Sequence, residues 1–387
     1  MVRELAATQV EEVERAAEQS VTALELFFDL VFVFAITQVT GFLYHDPSWT
    51  RLVEALAILM ALWWAWSGYA WLGNTAGTDE GAARVVLLGV MGPLLIASLA
   101  VPRAFGEHAL LFGLAYFVVR ALHIGAYGLL ARGEPRLRSV VLGLARTALP
   151  AAGLLIVAGA VPGTTRALCW AAALTIDYGG LLLGSTENWR VNAAHFSERH
   201  RLIVIIALGE SIVALGVGTE HLGTGVVVGA LLGIAVAAAL WWVYFDVVAA
   251  VAERKLREAT ADVRARMARD SFTYLHLPMV AGIVIFAFGV KVTLAHVHAH
   301  LASVPAAGLT GGVALYLFAL SLLKKRNIGS FNYPRLVAAG ILLILAPIAT
   351  QLSALAALSL VAATACGLVA YETWRYRETR DRIRHGA

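Results

Sequence analysis

The chain has 387 residues, 59% of them apolar and only 14% charged, with a formal net charge of +4. Soluble domains carry roughly 25% charged residues, so this balance and a mean hydropathy of +0.74 argue against a water-soluble enzyme, and the basic residues form no nucleic-acid patch. The 2 cysteines, Cys169 and Cys366, sit in apolar runs; this argues against a disulfide framework, and no zinc-ligand spacing is present.

Residues 1–23 are polar and acid-rich and lack the basic and apolar regions of a cleaved signal peptide, so they are expected to form a cytoplasmic segment. A bilayer core of about 30 Å needs about 20 apolar residues of helix. Such runs fall near 24–43, 52–72, 84–101, 109–130, 139–160, 166–184, 202–217, 225–250, 274–294, 305–323, 335–350 and 353–371. They are continuously apolar rather than alternating, and lipid admits only helices or closed barrels, so each run is expected to be a helix. The expected fold is all-α: a polytopic transmembrane bundle of about twelve spans with both termini in the cytoplasm.

The first span carries Glu25 and Asp29 one turn apart near its cytoplasmic end, with Gln38 deeper. The fourth carries Arg120 and His123, the fifth Arg146 and the sixth Asp177. Ahead of the seventh lies HFSERHR, with His195, Glu198 and His200; its spacing fits no strong metal motif, and no metal site is expected. The seventh span itself carries Glu210 and Ser211. Charges inside a bilayer are costly and usually face a partner or a cavity. Glu210 therefore reads either as the partner of Arg146 or Arg120 in a packing ion pair, or as part of a proton or ion pathway. After the eighth span, 251–273 reads as a cytoplasmic helix supported by pairs such as Glu253 with Arg257 and Arg266 with Asp270.

Two six-helix repeats, 24–184 and 202–371, are expected, joined by a cytoplasmic linker at 185–201 and followed by a basic cytoplasmic tail at 372–387. Trp63, Trp64 and Trp66 of the second span correspond to Trp241, Trp242 and Tyr244 of the eighth. An offset of 197 pairs Arg138 with Arg335, Gly143 with Gly340, Pro150 with Pro347 and Cys169 with Cys366. Six spans per half make the halves parallel, related by an axis along the membrane normal. With the N-terminus inside, most of the 30 Lys and Arg fall in cytoplasmic segments, and the outer loops hold only Arg51, Arg103 and Arg166.

The stretches Glu25 to Gln38 (ELFFDLVFVFAITQ) and His195 to Gly216 (HFSERHRLIVIIALGESIVALG) resemble the two signature segments of the bacterial low-temperature-requirement A membrane proteins. That resemblance implies a multi-spanning bacterial membrane protein linked by name to growth in the cold. The first span also resembles the FSD-bearing first helix of the lysosomal and bacterial potassium channels, through Phe27, Asp29, Val31, Phe32, Ala35, Ile36 and Thr37. In that family the first helix of each unit lines the pore. The resemblance implies that Phe34 and Thr37 face a pathway; in the second half, matching Phe196-Ser197-Glu198 to FSD makes Ile203 and Ile206 their counterparts, whereas matching the apolar runs pairs Asp29 with Arg201 and Phe34 with Ile206. Phe28 stands where the channels have Ser, and Glu210 has no counterpart, so potassium selectivity does not carry over.

The expected function is membrane transport: a cation or proton pathway lined by the first and seventh helices in the cell (inner) membrane. The alternatives are a secondary transporter of a small solute and a non-transporting scaffold or sensor. No enzymatic motif is present, no cofactor is expected, and the partners are the lipid bilayer, an ion or small solute and, from the paired-unit channels, a second copy of the chain.

Overall fold

The computed structural model describes residues 21–76, 81–132, 134–184, 186, 189–216 and 222–378. Most of the expected N-terminal segment and the end of the basic tail lie outside them. Among the described residues the chain is helical throughout, apart from one isolated bridge between His300 and Ser353.

The first half comprises α1 (Ala23–His45), α2 (Trp49–Ala76), α3 (Gly81–Ala100), α4 (Ala109–Leu130), α5 (Pro135–Ala160) and α6 (Gly163–Leu183). The second comprises α7 (Ala193–Gly216), α8 (Thr224–Phe245), two short helices α9 (Val248–Glu258) and α10 (Ala261–Met267), then α11 (His276–Ala295), α12 (Ser303–Ile328), α13 (Tyr333–Ala349) and α14 (Ala354–Arg375). A helix thus overlies each apolar run. Among the described residues 9 helical stretches are long and apolar enough to cross a membrane.

Local signals set the ends. Thr22 and Glu25 form a capping box at the start of α1. Pro135 opens α5, Asn332 caps α13 ahead of Pro334, and Gly329 ends α12 in the left-handed conformation. The segment 251–273 is not one helix. It breaks at extended Ala259 and Thr260, then passes from α10 into a π-helix, Ala268–Tyr274. The Glu253–Arg257 pair forms, whereas Asp270 binds Arg269 and Arg326 rather than Arg266.

In the first half α1 packs on α2 and α3, followed by α3 on α4, α4 on α5 and α5 on α6, with α6 returning to α2. In the second half α7 packs on α8 and α11, followed by α11 on α12, α12 on α13 and α13 on α14, with α14 returning to α8. The halves meet where α1 and α2 lie against α7 and α11. Close approach depends on small residues: a Cβ on Gly282 of α11 would stand 2.5 Å from the Gly312 carbonyl oxygen of α12, and one on Gly312 would stand 2.6 Å from that of Gly282.

The distribution of polarity is the reverse of a water-soluble bundle. Glu25, Asp29, Arg120, Asp177, Arg199 and Glu210 are buried, while Leu30, Leu99, Leu183, Leu231 and Ile344 cover the outside. An exterior of leucine and isoleucine around interior charge is suited to hydrocarbon as solvent.

Candidate functional site: the seam between α1 and α7

On α1, Glu25, Asp29, Phe32, Ile36 and Thr40 recur every three or four residues and so share a face. On α7 the same holds for His195, Arg199, Ile203, Ile206 and Glu210. Where these helices meet, they stack three layers.

At the end where α1 begins, Arg199 makes a two-pronged contact with Asp29, Nη1 to Oδ2 at 3.0 Å and Nη2 to Oδ1 at 2.9 Å. The indole N–H of Trp66 donates to the same Oδ1 at 2.9 Å, and the Arg199 guanidinium lies 5.6 Å from the Trp66 ring. Bidentate charge-assisted pairs of this kind are the strong ones. Glu25 accepts the Thr22 backbone N–H at 3.0 Å and contacts His195 Nε2 at 3.0 Å. Behind them, His200 gives Nδ1–H to the Phe196 carbonyl at 2.8 Å, and His276 gives its own to the Ser271 carbonyl at 2.8 Å. Each carbonyl can only accept, which fixes both tautomers. The Tyr244 hydroxyl then donates to His276 Nε2 at 2.9 Å.

The second layer is apolar. Phe32, Ile36 and Ile203 are almost fully buried, and Ile206 is half-buried. Phe34 does not join them. It stands five residues past Asp29, about 140° round the helix, and is half-buried on the flank; the aromatic side chain on the seam face is Phe32.

The third layer is Glu210. Its Oε2 accepts the Thr37 hydroxyl at 2.6 Å, Thr40 flanks it, and Lys291 is close enough to feel its charge. Among the described residues no basic side chain forms an ion pair with it. The adjacent Ser211 hydroxyl is buried and has no hydrogen-bond partner among them. Gln38 is half-buried beside this layer. The expected pairing of Glu210 with Arg146 or Arg120 is not made. Arg146 points outward from α5, and Arg120 holds Asp177 instead, Nη2 to Oδ1 at 3.1 Å. His123 contacts the Gly68 carbonyl through Nε2 at 3.0 Å. These residues of α4 and α6 form a separate centre inside the first half.

The residues of HFSERHR do not converge on a metal: His195 turns to Glu25, Glu198 accepts the Val21 backbone N–H, and His200 turns to Phe196. Arg199 was not among the residues expected to line the pathway. The available signal was helical continuity: nothing between Ala193 and Gly209 breaks a helix, so α7 begins nine residues before its apolar run, and His195 and Arg199 fall on the face of Glu210.

An apolar-sided, charge-centred bundle with several membrane-length helices defines a multi-pass membrane protein. The chain belongs to the family described as bacterial low temperature requirement A protein (LtrA), whose profile matches residues 20–370. It is 32% identical over 286 residues, 70% of this chain and 69% of the other, to "Uncharacterized protein RA0937" of Rhizobium meliloti (strain 1021). No solved structure matches.

Proposed function

We propose that the protein is a membrane transport protein whose α1–α7 seam conducts a proton or small cation through the cell (inner) membrane. Glu210 is the titratable relay, and the Phe32, Ile36, Ile203 and Ile206 layer is the closed gate. The observation that carries this reading is Glu210 itself: a buried carboxyl in the apolar stretch of the 24-residue helix α7, hydrogen-bonded to a hydroxyl and ion-paired with no basic group among the described residues. A structural carboxylate in hydrocarbon is expected to sit on a cation, as Asp29 does on Arg199. One held by Thr37 is free to exchange a proton. An apolar constriction between polar layers closes by excluding water and opens by wetting.

Twelve crossings, with both termini and the basic loops in the cytoplasm, are part of the same reading. The bias of Lys and Arg supports the sidedness, and the parallel order of helix contacts in the two halves supports the repeat. In proteoliposomes with an internal pH dye, the parent protein is expected to dissipate an imposed proton gradient, and Glu210→Gln to slow this at least tenfold. A parent that carries no flux, or a variant as fast as the parent, overturns the role.

A further inference from the structure

The second half holds a groove that the seam does not use. It lies at one end of the bundle, where α8 and α12 end, α9 and α13 begin and α14 makes its last turn, and it has a cavity volume of about 250 Å³. Its lining is mostly carbon. Trp242, Val247, Val248 and Ile328 line it and keep accessible surface, with Val243 and Leu323 buried behind them. At the roughly 30 Å³ that a water-sized group occupies in a liquid, the groove takes about eight methylene-sized groups. One turn of a helix 10 Å across displaces about 400 Å³, so a helix from a partner or a second copy does not fit.

The polar groups of the lining are nearly all spent. Arg335 forks onto Glu372 through Nε at 2.9 Å and Nη2 at 2.8 Å, and Asn332 Nδ2 donates to Glu372 Oε1 at 2.9 Å. The Ser271 hydroxyl donates to Asn327, and Asp246 and Trp242 are engaged within the protein as well. Lys324 is the exception. Its ammonium has three donors; it makes one long contact, to the Phe331 carbonyl at 3.4 Å, and no ion pair among the described residues. Asp246 and Glu372 offset Arg335 and Lys324, so the lining as a whole is neutral. A highly charged solute would lose its hydration there without compensation. One half-buried ammonium with open donors beside a wall of carbon suits one compact anionic group carried on a long apolar body.

The exterior around the groove sets its depth. Val337, Ile341 and Ile344 cover the outside of α13, and towards this end of the bundle that aliphatic surface gives way to exposed Trp241, Tyr333 and Trp374 and then to Lys325 and Arg375. Aromatic side chains followed by Lys and Arg mark the boundary between hydrocarbon and headgroups. A carbon-lined groove at that boundary draws its ligand from the membrane, and basic side chains beside it favour a phosphate headgroup.

We infer that this groove is a binding site for a membrane phospholipid, with one acyl chain lying along Trp242, Val247 and Val248 and the phosphate held by Lys324. This goes beyond the proton or cation pathway and does not depend on it. The tail at 379–387, outside the described residues, follows the rim residue Tyr376 closely in sequence, but with Ile383 as its one large apolar residue it does not match a carbon-lined groove.

The test is photo-crosslinking on the full chain in lipid nanodiscs, with two probes: phosphatidylglycerol bearing a diazirine on one acyl chain, and the diacylglycerol that has the same chain and no phosphate. Peptide mapping is expected to place phosphatidylglycerol adducts on 242–252 well above those on the outward-facing stretch 337–344, and diacylglycerol is expected to label 242–252 severalfold less. Lys324→Gln is expected to bring phosphatidylglycerol down to the diacylglycerol level, while Lys255→Gln, which removes an ammonium already paired with Glu258 at 3.0 Å, leaves it unchanged. Val248→Trp fills the groove and is expected to abolish the adducts on 242–252 and keep those on 337–344. Adducts on 242–252 no denser than on 337–344, equal labelling by the two probes, or indifference to either groove variant would each overturn the site. So would a full chain that is labelled on 242–252 only once 379–387 are removed, which would make the tail the occupant.

Discussion

The protein buries two arginine–aspartate pairs, and they are built to opposite ends. Arg199 and Asp29 meet in a two-pronged contact, with a third donor from Trp66 and a close-packed aromatic surround. Arg120 and Asp177 share a single hydrogen bond beside a cavity, and in both pairs the arginine Nε has no hydrogen-bond partner among the described residues. The same two residue types thus form a two-pronged clamp between the halves in one place and a singly bonded pair beside a cavity in the other. Chemical identity does not decide the role of a buried pair; the geometry of its contact and the space beside it do.

Removing one partner from the clamp separates the two cases most sharply. Asp29→Asn leaves Arg199 buried without a counter-charge, and the expected cost is about 3–5 kcal/mol, read as a large fall in thermal midpoint in detergent. Asp177→Asn is expected to cost visibly less, because water in the cavity can solvate Arg120. Equal losses would erase the distinction. Next in size is glycine replacement. Gly312→Ala drives a methyl into the Gly282 carbonyl of α11 and should lower the midpoint by several degrees or prevent folding. Gly68→Ala meets the movable His123 ring and should be tolerated by the fold. Smallest is Trp66→Phe, which deletes one donor to Asp29; a cost of about 1 kcal/mol is expected, and no change would mean that the two-pronged contact alone completes the clamp.

Much of the architecture was legible because hydrocarbon thickness fixes helix length: a helix overlies every apolar run, from Ala23–His45 to Ala354–Arg375. The buried charges were legible too, since Glu25, Asp29, Arg120, Asp177 and Glu210 stand out against apolar neighbours. Their partners were not. Pairing depends on how helices far apart in the chain rotate against one another, and the contact of Arg199 with Asp29 spans 170 residues of sequence. Arg146 shows the same point in reverse. It was grouped with the buried charges, yet α5 turns it outward. The π-helix at Ala268–Tyr274 had no advance signal. Its Thr273 accepts N–H groups from Trp63 and Trp71 at 2.8 and 2.9 Å and ties the second half to α2, so tertiary contact selects that turn.

The seam claim is tested most directly by water accessibility along α1. In a chain with Cys169 and Cys366 replaced, single cysteines are placed at Thr37, on the Glu210 layer, at Leu30, exposed on the outside of the bundle, and at Ala302, in a loop. A membrane-impermeant thiol reagent is expected to modify Thr37→Cys at a rate approaching that of Ala302→Cys and to leave Leu30→Cys untouched. If Thr37→Cys is as inert as Leu30→Cys in functioning membranes, no aqueous route reaches Glu210 and the transport reading fails.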